Sequence, residues 1–302
     1  MAARIGINAD SSLINGDLST LDKLLGEFQI AGFSHVEIPV HGLDCIMNSR
    51  ICPKRLTKTR QIVGAYPFSY SVHAPDGLNL ADRDQPEAHF DALFATIDFA
   101  AEIGADIVVY HGSHVKNVAP SVPRQDLWND EIERLRRVAA YAGRRSVTVA
   151  VENIFRQSAQ EVSYRINPID LAGIIAAVDS PNVGICFDFG HAFISANEEK
   201  FSIVGALCAA LPRIVHVHMH DNFGKTWGSY TRTIDALPVG CGDLHLPPGW
   251  GAIPYSTLLP ILLPAYRGVL MMEIQPRFSD LYGEAIEWAR SAACRCAAEV
   301  TG

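Results

Sequence analysis

Histidines and carboxylates recur in this 302-residue chain at the ends of short apolar runs. His73 closes Tyr-Ser-Val-His, His111 closes Val-Val-Tyr-His, and Glu152 closes Val-Ala-Val-Glu ahead of Asn153. Asp188 ends Ile-Cys-Phe-Asp, with His191 three residues on, and Glu273 closes Met-Met-Glu. His216, His218 and His220 alternate just before Asp221. Imidazole and carboxylate together suit Zn, Mn, Co or Fe. A lone histidine at such a place is ordinarily a hydrogen-bonded structural residue, and a lone carboxylate can simply cap the next helix. Six consecutive runs that end this way point instead to a divalent-metal site. In the alternating trio, a period of two puts all three imidazoles on one face, so they cannot all hold one ion. His216 lies deepest and reads as a structural layer residue. His218 reads as the ligand, and His220 as a residue that orients substrate or supports a ligand. Asp243 and His245, two apart ahead of Gly249-Trp-Gly251, could chelate an ion from a loop, although alone they read first as a polar turn.

Residues so far apart meet only if the chain brings its strand ends together. Strand-like runs are expected at 4–8, 34–38, 68–73, 106–111, 147–152, 183–188, 214–218 and 269–273. Helical spacing fills 18–31, 53–65, 86–103, 125–142, 168–178, 200–211, 255–263 and 280–300. Ser19 is the expected cap of the first helix, with Asp22 three residues on. Strands alternating with helices imply parallel β-α-β pairing. Eight such units predict an α/β fold: one closed (β/α)8 barrel over residues 1–302, its metal site at the C-terminal mouth of the strands. An open doubly wound sheet is the runner-up. The stretch 222–251 is too long for an ordinary connection, and such loops usually serve function.

Composition is compatible with this. Hydrophobic residues make up 48% and charged residues 19%, enough for a sizeable core. The formal net charge of -8 gives no support for nucleic-acid binding, which ordinarily needs a basic face. The seven cysteines are odd in number and form no C-x-x-C, which suggests reduced thiols and a cytoplasmic setting. The opening Met-Ala-Ala-Arg-Ile-Gly shows no signal-peptide pattern, and no apolar run reaches the roughly 18–20 residues of a membrane span.

The pattern resembles the xylose isomerase-like barrel superfamily, from Ile5 to about Glu287. That group includes sugar-phosphate isomerases and epimerases and the endonuclease IV enzymes (AP endonuclease family 2). Val-Glu37-Ile-Pro-Val-His-Gly looks like the second strand of the isomerase branch, and Ser-Val-His73-Ala-Pro looks like both branches. The isomerase resemblance implies one Mn, Co or Mg ion on Glu152, Asp188, His218 and Glu273. It also implies that Glu152 and Glu273 act catalytically, shuttling a proton between neighbouring carbons of a ketose. The endonuclease IV resemblance implies three Zn ions. His73 and His111 would share a bridging Glu152; Asp188, His218 and Glu273 would follow; His191, Asp243 and His245 would complete the nine. Asp243, His245, Gly249, Gly251 and Ile253 match that branch's loop pattern. The chain departs from it in segment 39–49, which lacks the Arg- and Trp-bearing stretch associated with DNA recognition, and in the longer stretch 221–243.

The leading expectation is therefore a metal-dependent sugar or sugar-phosphate isomerase or epimerase with one to three divalent ions. The alternative is a multinuclear hydrolase of a phosphodiester, either abasic DNA or a small molecule. A metal-binding module without turnover is a distant third. His220, Asp221, Lys225 and Asn153 are the candidates to meet a carbohydrate or phosphate-ester substrate. Lys225, Arg232 and Arg277 could grip a phosphate or hydroxyls, or be plain surface charge. No membrane is expected as a partner. The oligomeric state stays open, with a homodimer or tetramer as options.

Overall fold

A computed structural model describes residues 4–116, 118, 121–226 and 233–301. Arg232 lies outside the described residues, so the structure says nothing of its expected role. Eight strands form the barrel: β1 (Arg4–Asn8), β2 (His35–Pro39), β3 (Ser69–His73), β4 (Ile107–Tyr110), β5 (Thr148–Glu152), β6 (Val183–Asp188), β7 (Ile214–Met219) and β8 (Val269–Met272). Neighbours in sequence are neighbours in space, every pair is parallel, and β1 closes on β8. The expected closed barrel is therefore the one formed, and the open sheet is excluded.

Parallel strands need helical crossovers, and local chemistry shows where these start and stop. The first long helix, Leu18–Ala31, buries Leu18, Leu21, Leu25 and Phe28 along one face. Its cap is Asp17, not Ser19: the Asp17 carboxylate accepts from the Ser19 backbone N–H at 2.9 Å. Gly32 ends the helix at φ 97°, a left-handed conformation that suits glycine. Phe28, Phe33 and Tyr282 meet edge to face at 5.6–6.0 Å, tying this helix to the chain's last one. That last helix runs Tyr282–Thr301, two residues later than expected, because a 3-10 segment occupies Pro276–Leu281.

The expected helix at 200–211 forms as the second of two successive helices, Phe189–Glu199 and Ile203–Ala210. Lys200 breaks the path at φ 61°, and the Ser202 side chain caps the second helix by accepting from Gly205. The first of the two was missed because Phe-Gly-His reads as a poor helix start. Asp188 nevertheless caps it by accepting from the His191 N–H, and a β-carbon at Gly190 would overlap the His220 ring.

The barrel interior divides into two halves. Val109, Ala150 and Cys186 form a small apolar cluster inside β4–β6. Across from it, His35, Glu37 and Ser71 of β2 and β3 bond to one another and to His216 of β7. β2 and β7 are not neighbours, so this contact must cross the interior.

Candidate metal centre

The strand ends converge on one cavity of about 320 Å³. His73, His111, Glu152, His191, Asp243, His245 and Glu273 all line it. His73 and Glu152 are the last residues of β3 and β5, while His111 and Glu273 lie one residue past β4 and β8.

Three donor groups can be distinguished. In the first, His73 Nε2 lies 3.5 Å and His111 Nε2 3.4 Å from Glu152 Oε2. In the second, His218 Nδ1 lies 3.4 Å from Glu152 Oε1, 3.4 Å from Glu273 Oε2 and 3.8 Å from Asp188 Oδ2. In the third, Asp243 Oδ2 lies 3.1 Å from His191 Nε2 and 2.7 Å from His245 Nε2, and His220 joins the group. Glu152 thus offers one oxygen to each of the first two groups.

The spacing bears on whether a cation fits. Ligand atoms bonded at 2.0–2.1 Å in a tetrahedron lie roughly 3.3–3.4 Å apart, beyond the length of a good hydrogen bond. The first two groups contain contacts of this longer kind; the third has hydrogen-bond lengths. Glu152 Oε2 and Asp243 Oδ1 are buried without a hydrogen-bond partner among the described residues. Ring orientation agrees: His73 Nδ1 lies 2.7 Å from the Ala74 carbonyl, and His245 Nδ1 lies 2.7 Å from that of Glu273. A ring that donates from Nδ1 presents a free lone pair at Nε2, the form a metal requires. The donor set therefore fits a divalent ion.

The electrostatics show the same demand for positive charge. Burial opposes a charge on His73, but Glu152, Asp76 and Glu37 outweigh it and push its pKa up to about 10. Burial pulls the neighbouring His111 down, to about 4. Burial would raise the Glu152 carboxyl, yet His218 and His111 hold it well below the usual range.

The four residues expected to meet substrate do not line the cavity. Asn153 is buried: its amide donates to the Asp188 carbonyl at 2.9 Å and accepts from the Asp188 N–H at 3.0 Å, fixing the end of β6. His220 is fully buried, its Nε2 3.2 Å from Asp188 Oδ2. Asp221 is buried too, and it accepts from the backbone N–H groups of Asn222, Gly249 and Ile253. Lys225 is exposed and donates to the Val239 carbonyl at 3.1 Å. Arg277 is exposed with its guanidinium 5.6 Å from the Phe278 ring centre.

The wall contains residues that sequence reasoning did not assign: Asn8, Asp10, Glu37, His41, Asp76 and Gln275. Asn8 ends β1 and donates to Glu273 Oε1 at 3.1 Å, so the strand-end rule that found the histidines could have found it. Asp76 lies 3.5 Å from His73 Nδ1, and the His-x-x-Asp spacing was a signal for it.

Comparisons with known proteins agree with this architecture. A family model described as xylose isomerase-like TIM barrel matches residues 28–292. An uncharacterized protein of Methanocaldococcus jannaschii, MJ1311, is 27% identical over 229 residues, covering 74% of this chain and 70% of its own length. Among solved structures, a D-tagatose 3-epimerase-like protein superposes with a TM-score of 0.72 at 24% identity, covering 97% of this chain and 98% of that one. An L-ribulose 3-epimerase superposes with a TM-score of 0.70 at 18% identity, covering 99% and 98%. At such identities the superpositions speak for the fold alone. With the family model spanning most of the barrel, the chain belongs to the xylose isomerase-like TIM barrel family.

Proposed function

We propose that this protein is a divalent-metal-dependent isomerase or epimerase of a small, uncharged sugar. The observation that carries the reading is the gathering of Glu152, Asp188 and Glu273 around His218 Nδ1, with Glu152 and Glu273 also lining a cavity of about 320 Å³. The solved 3-epimerases that share the fold support it as relatives of that activity.

Among the described residues, no lysine or arginine lines the cavity. A phosphate group would meet Asp10 and Asp76 there without a lysine or arginine to answer it. Asn8, Ser11, Gln157 and Gln275 instead offer neutral hydrogen-bonding groups suited to hydroxyls. Substrate is therefore expected to be a free ketose rather than its phosphate.

A divalent ion on the four donors would supply a Lewis acid for the substrate's carbonyl and hydroxyl oxygens. Glu152 and Glu273 do the proton work. One carboxylate removes the proton from the carbon beside the carbonyl. The other returns a proton to the opposite face for epimerisation, or to the neighbouring carbon for isomerisation. The amide of Asn8 holds Glu273 through Oε1, which leaves Oε2 facing His218. Ile154, Phe155 and Pro276 supply the apolar part of the wall and limit water.

The test is incubation with free ketoses in D2O. Deuterium is expected at the carbon beside the carbonyl, together with the epimer or aldose. Glu273→Gln should lower that exchange by about 10²–10⁴-fold while the protein stays folded. An unchanged rate in Glu273→Gln removes the catalytic assignment.

The donors beyond the four favour a second reading, a multinuclear phosphodiester hydrolase using His73, His111, His191, Asp243 and His245 as well. Two or three tightly held ions, with one lost in His245→Ala, would favour it. A single ion retained in His245→Ala favours the sugar reading.

A further inference from the structure

We propose that Glu37 is a positioning residue for the metal site, fixing which nitrogen of His218 faces the ion. The proposal rests on the four-donor reading given above. Glu37 is fully buried on β2, and its side chain crosses the barrel interior to β7. Its Oε1 lies 3.0 Å from His218 Nε2. Both atoms are buried, and neither has an aligned hydrogen-bond partner among the described residues, so each faces the other as its close polar neighbour. The opposite ring nitrogen, Nδ1, is the one that faces Glu152, Asp188 and Glu273.

A neutral imidazole carries its proton on one nitrogen only, and the partner of that nitrogen decides which. With Glu37 below, the proton belongs on Nε2 and the lone pair at Nδ1 points to the ion. Without an acceptor at Nε2, the other tautomer puts an N–H among the ligand carboxylates, where the cation must sit. His73 and His245 solve the same problem the other way round: each anchors Nδ1 on a backbone carbonyl and presents Nε2. His218 is turned over relative to them, and the group that faces its Nε2 at 3.0 Å is a carboxylate rather than a backbone carbonyl.

Glu37 is itself held from the far side. Its Oε2 accepts from Ser71 Oγ at 2.8 Å and lies 3.0 Å from His216 Nε2. Ser71 Oγ lies 3.1 Å from His35 Nε2, and His35 Nδ1 lies 2.7 Å from Ser69 Oγ. The polar half of the interior therefore ends in one oriented carboxylate directly beneath His218. Glu37, His216 and His218 could also be read as a metal-holding trio. The Oε2 contacts at 2.8–3.0 Å are hydrogen bonds, however, and a carboxylate held in this way favours support over coordination.

The experiment compares the full-length wild-type chain with Glu37→Gln and, because a buried charge change can disturb folding, with Ser71→Ala, which loosens Glu37 and leaves His218 untouched. Co(II) affinity is measured by chelator competition, and ¹⁵N spectra of the histidine rings are recorded on the Zn-loaded wild type. A weakening of about 10–100-fold is expected for Glu37→Gln, with a smaller loss of the same sign for Ser71→Ala. The spectra should show one ring bound through Nδ1 and protonated at Nε2, and His218→Gln should delete that signal. Wild-type Co(II) affinity in a folded Glu37→Gln protein, or His218 bound through Nε2, would overturn the proposal. The readouts are affinity and ring state rather than turnover, which keeps a failure here separate from a failure of the sugar chemistry.

Discussion

Two segments flank the cavity mouth, and buried charges of opposite sign anchor them. On the His111 side the anchor is Arg165, 3% exposed, which donates to the carbonyls of His111 and Gly112 at 2.8 and 3.2 Å. On the His245 side it is Asp221, 1% exposed, which accepts from three backbone amides at 2.9–3.2 Å. Arg165 is paired with the buried Glu161 at 3.1 Å, whereas the bonds of Asp221 run to neutral amides. A guanidinium suits a turn that presents carbonyls, and a carboxylate suits one that presents N–H groups. The lesson is that loop backbone is pinned by whichever charge its free groups demand, and that the two anchors should fail differently. Removing half of a buried ion pair strands the other half; removing a lone acceptor strands only amides.

Arg165→Met is the larger break. It leaves Glu161 buried without its partner and should cost about 3–5 kcal/mol, measured by urea denaturation. Ion binding at His73 and His111 should weaken with it. A loss below 1 kcal/mol would mean that Glu161 finds water and the pair does not brace the loop. Asp221→Asn keeps the shape but turns an N–H donor toward donor amides. The expected cost is about 1–3 kcal/mol, with faster backbone hydrogen exchange across 243–253. Equal exchange on both sides of the mouth would erase the distinction between the anchors.

Acid separates both loops from the barrel beneath them. His35 lies in the interior, and burial above all, then His216, lowers its pKa from 6.5 to about 3. The unfolded chain therefore binds a proton on this ring that the folded chain refuses. Stability should be complete above pH 6.5 and fall as pH drops toward 3, by up to about 1.4 kcal/mol per pH unit. His35→Gln should flatten that slope in equilibrium unfolding measured from pH 7 to 4.5. An unchanged slope would assign the acid loss to other groups.

Much of this was legible in the sequence because it depends on period and position. The strands were readable as apolar runs, and the rule that strand C-termini share one mouth brought His73, His111, Glu152, Asp188, His218 and Glu273 together. Less legible were the inside of the barrel and the packing of polar residues next to the candidate ligands. Asn153, His220 and Asp221 follow candidate ligand positions closely and read as substrate contacts, or for His220 as support for a ligand. Period and turn geometry instead send them inward, where they hold strand ends and loop amides. Glu37 was quoted as part of a strand pattern without a role, because its partner His218 is 181 residues away and only barrel closure joins them. The helix at Phe189–Glu199 was hidden by Gly190, whose missing side chain answers to His220 rather than to helix propensity.

Glu152 directs one oxygen to His73 and His111 and the other to His191 and His218. A carboxylate divided in this way would make ion occupancy on one side a thermodynamic variable for the other. Charge drawn toward an ion on one oxygen weakens the second oxygen as a donor, and the same strand end sets both distances. The two occupancies would share a single coupling free energy, equal in both directions. With ions on both sides, the binding isotherm would belong to the mouth as a whole, not to separable sites.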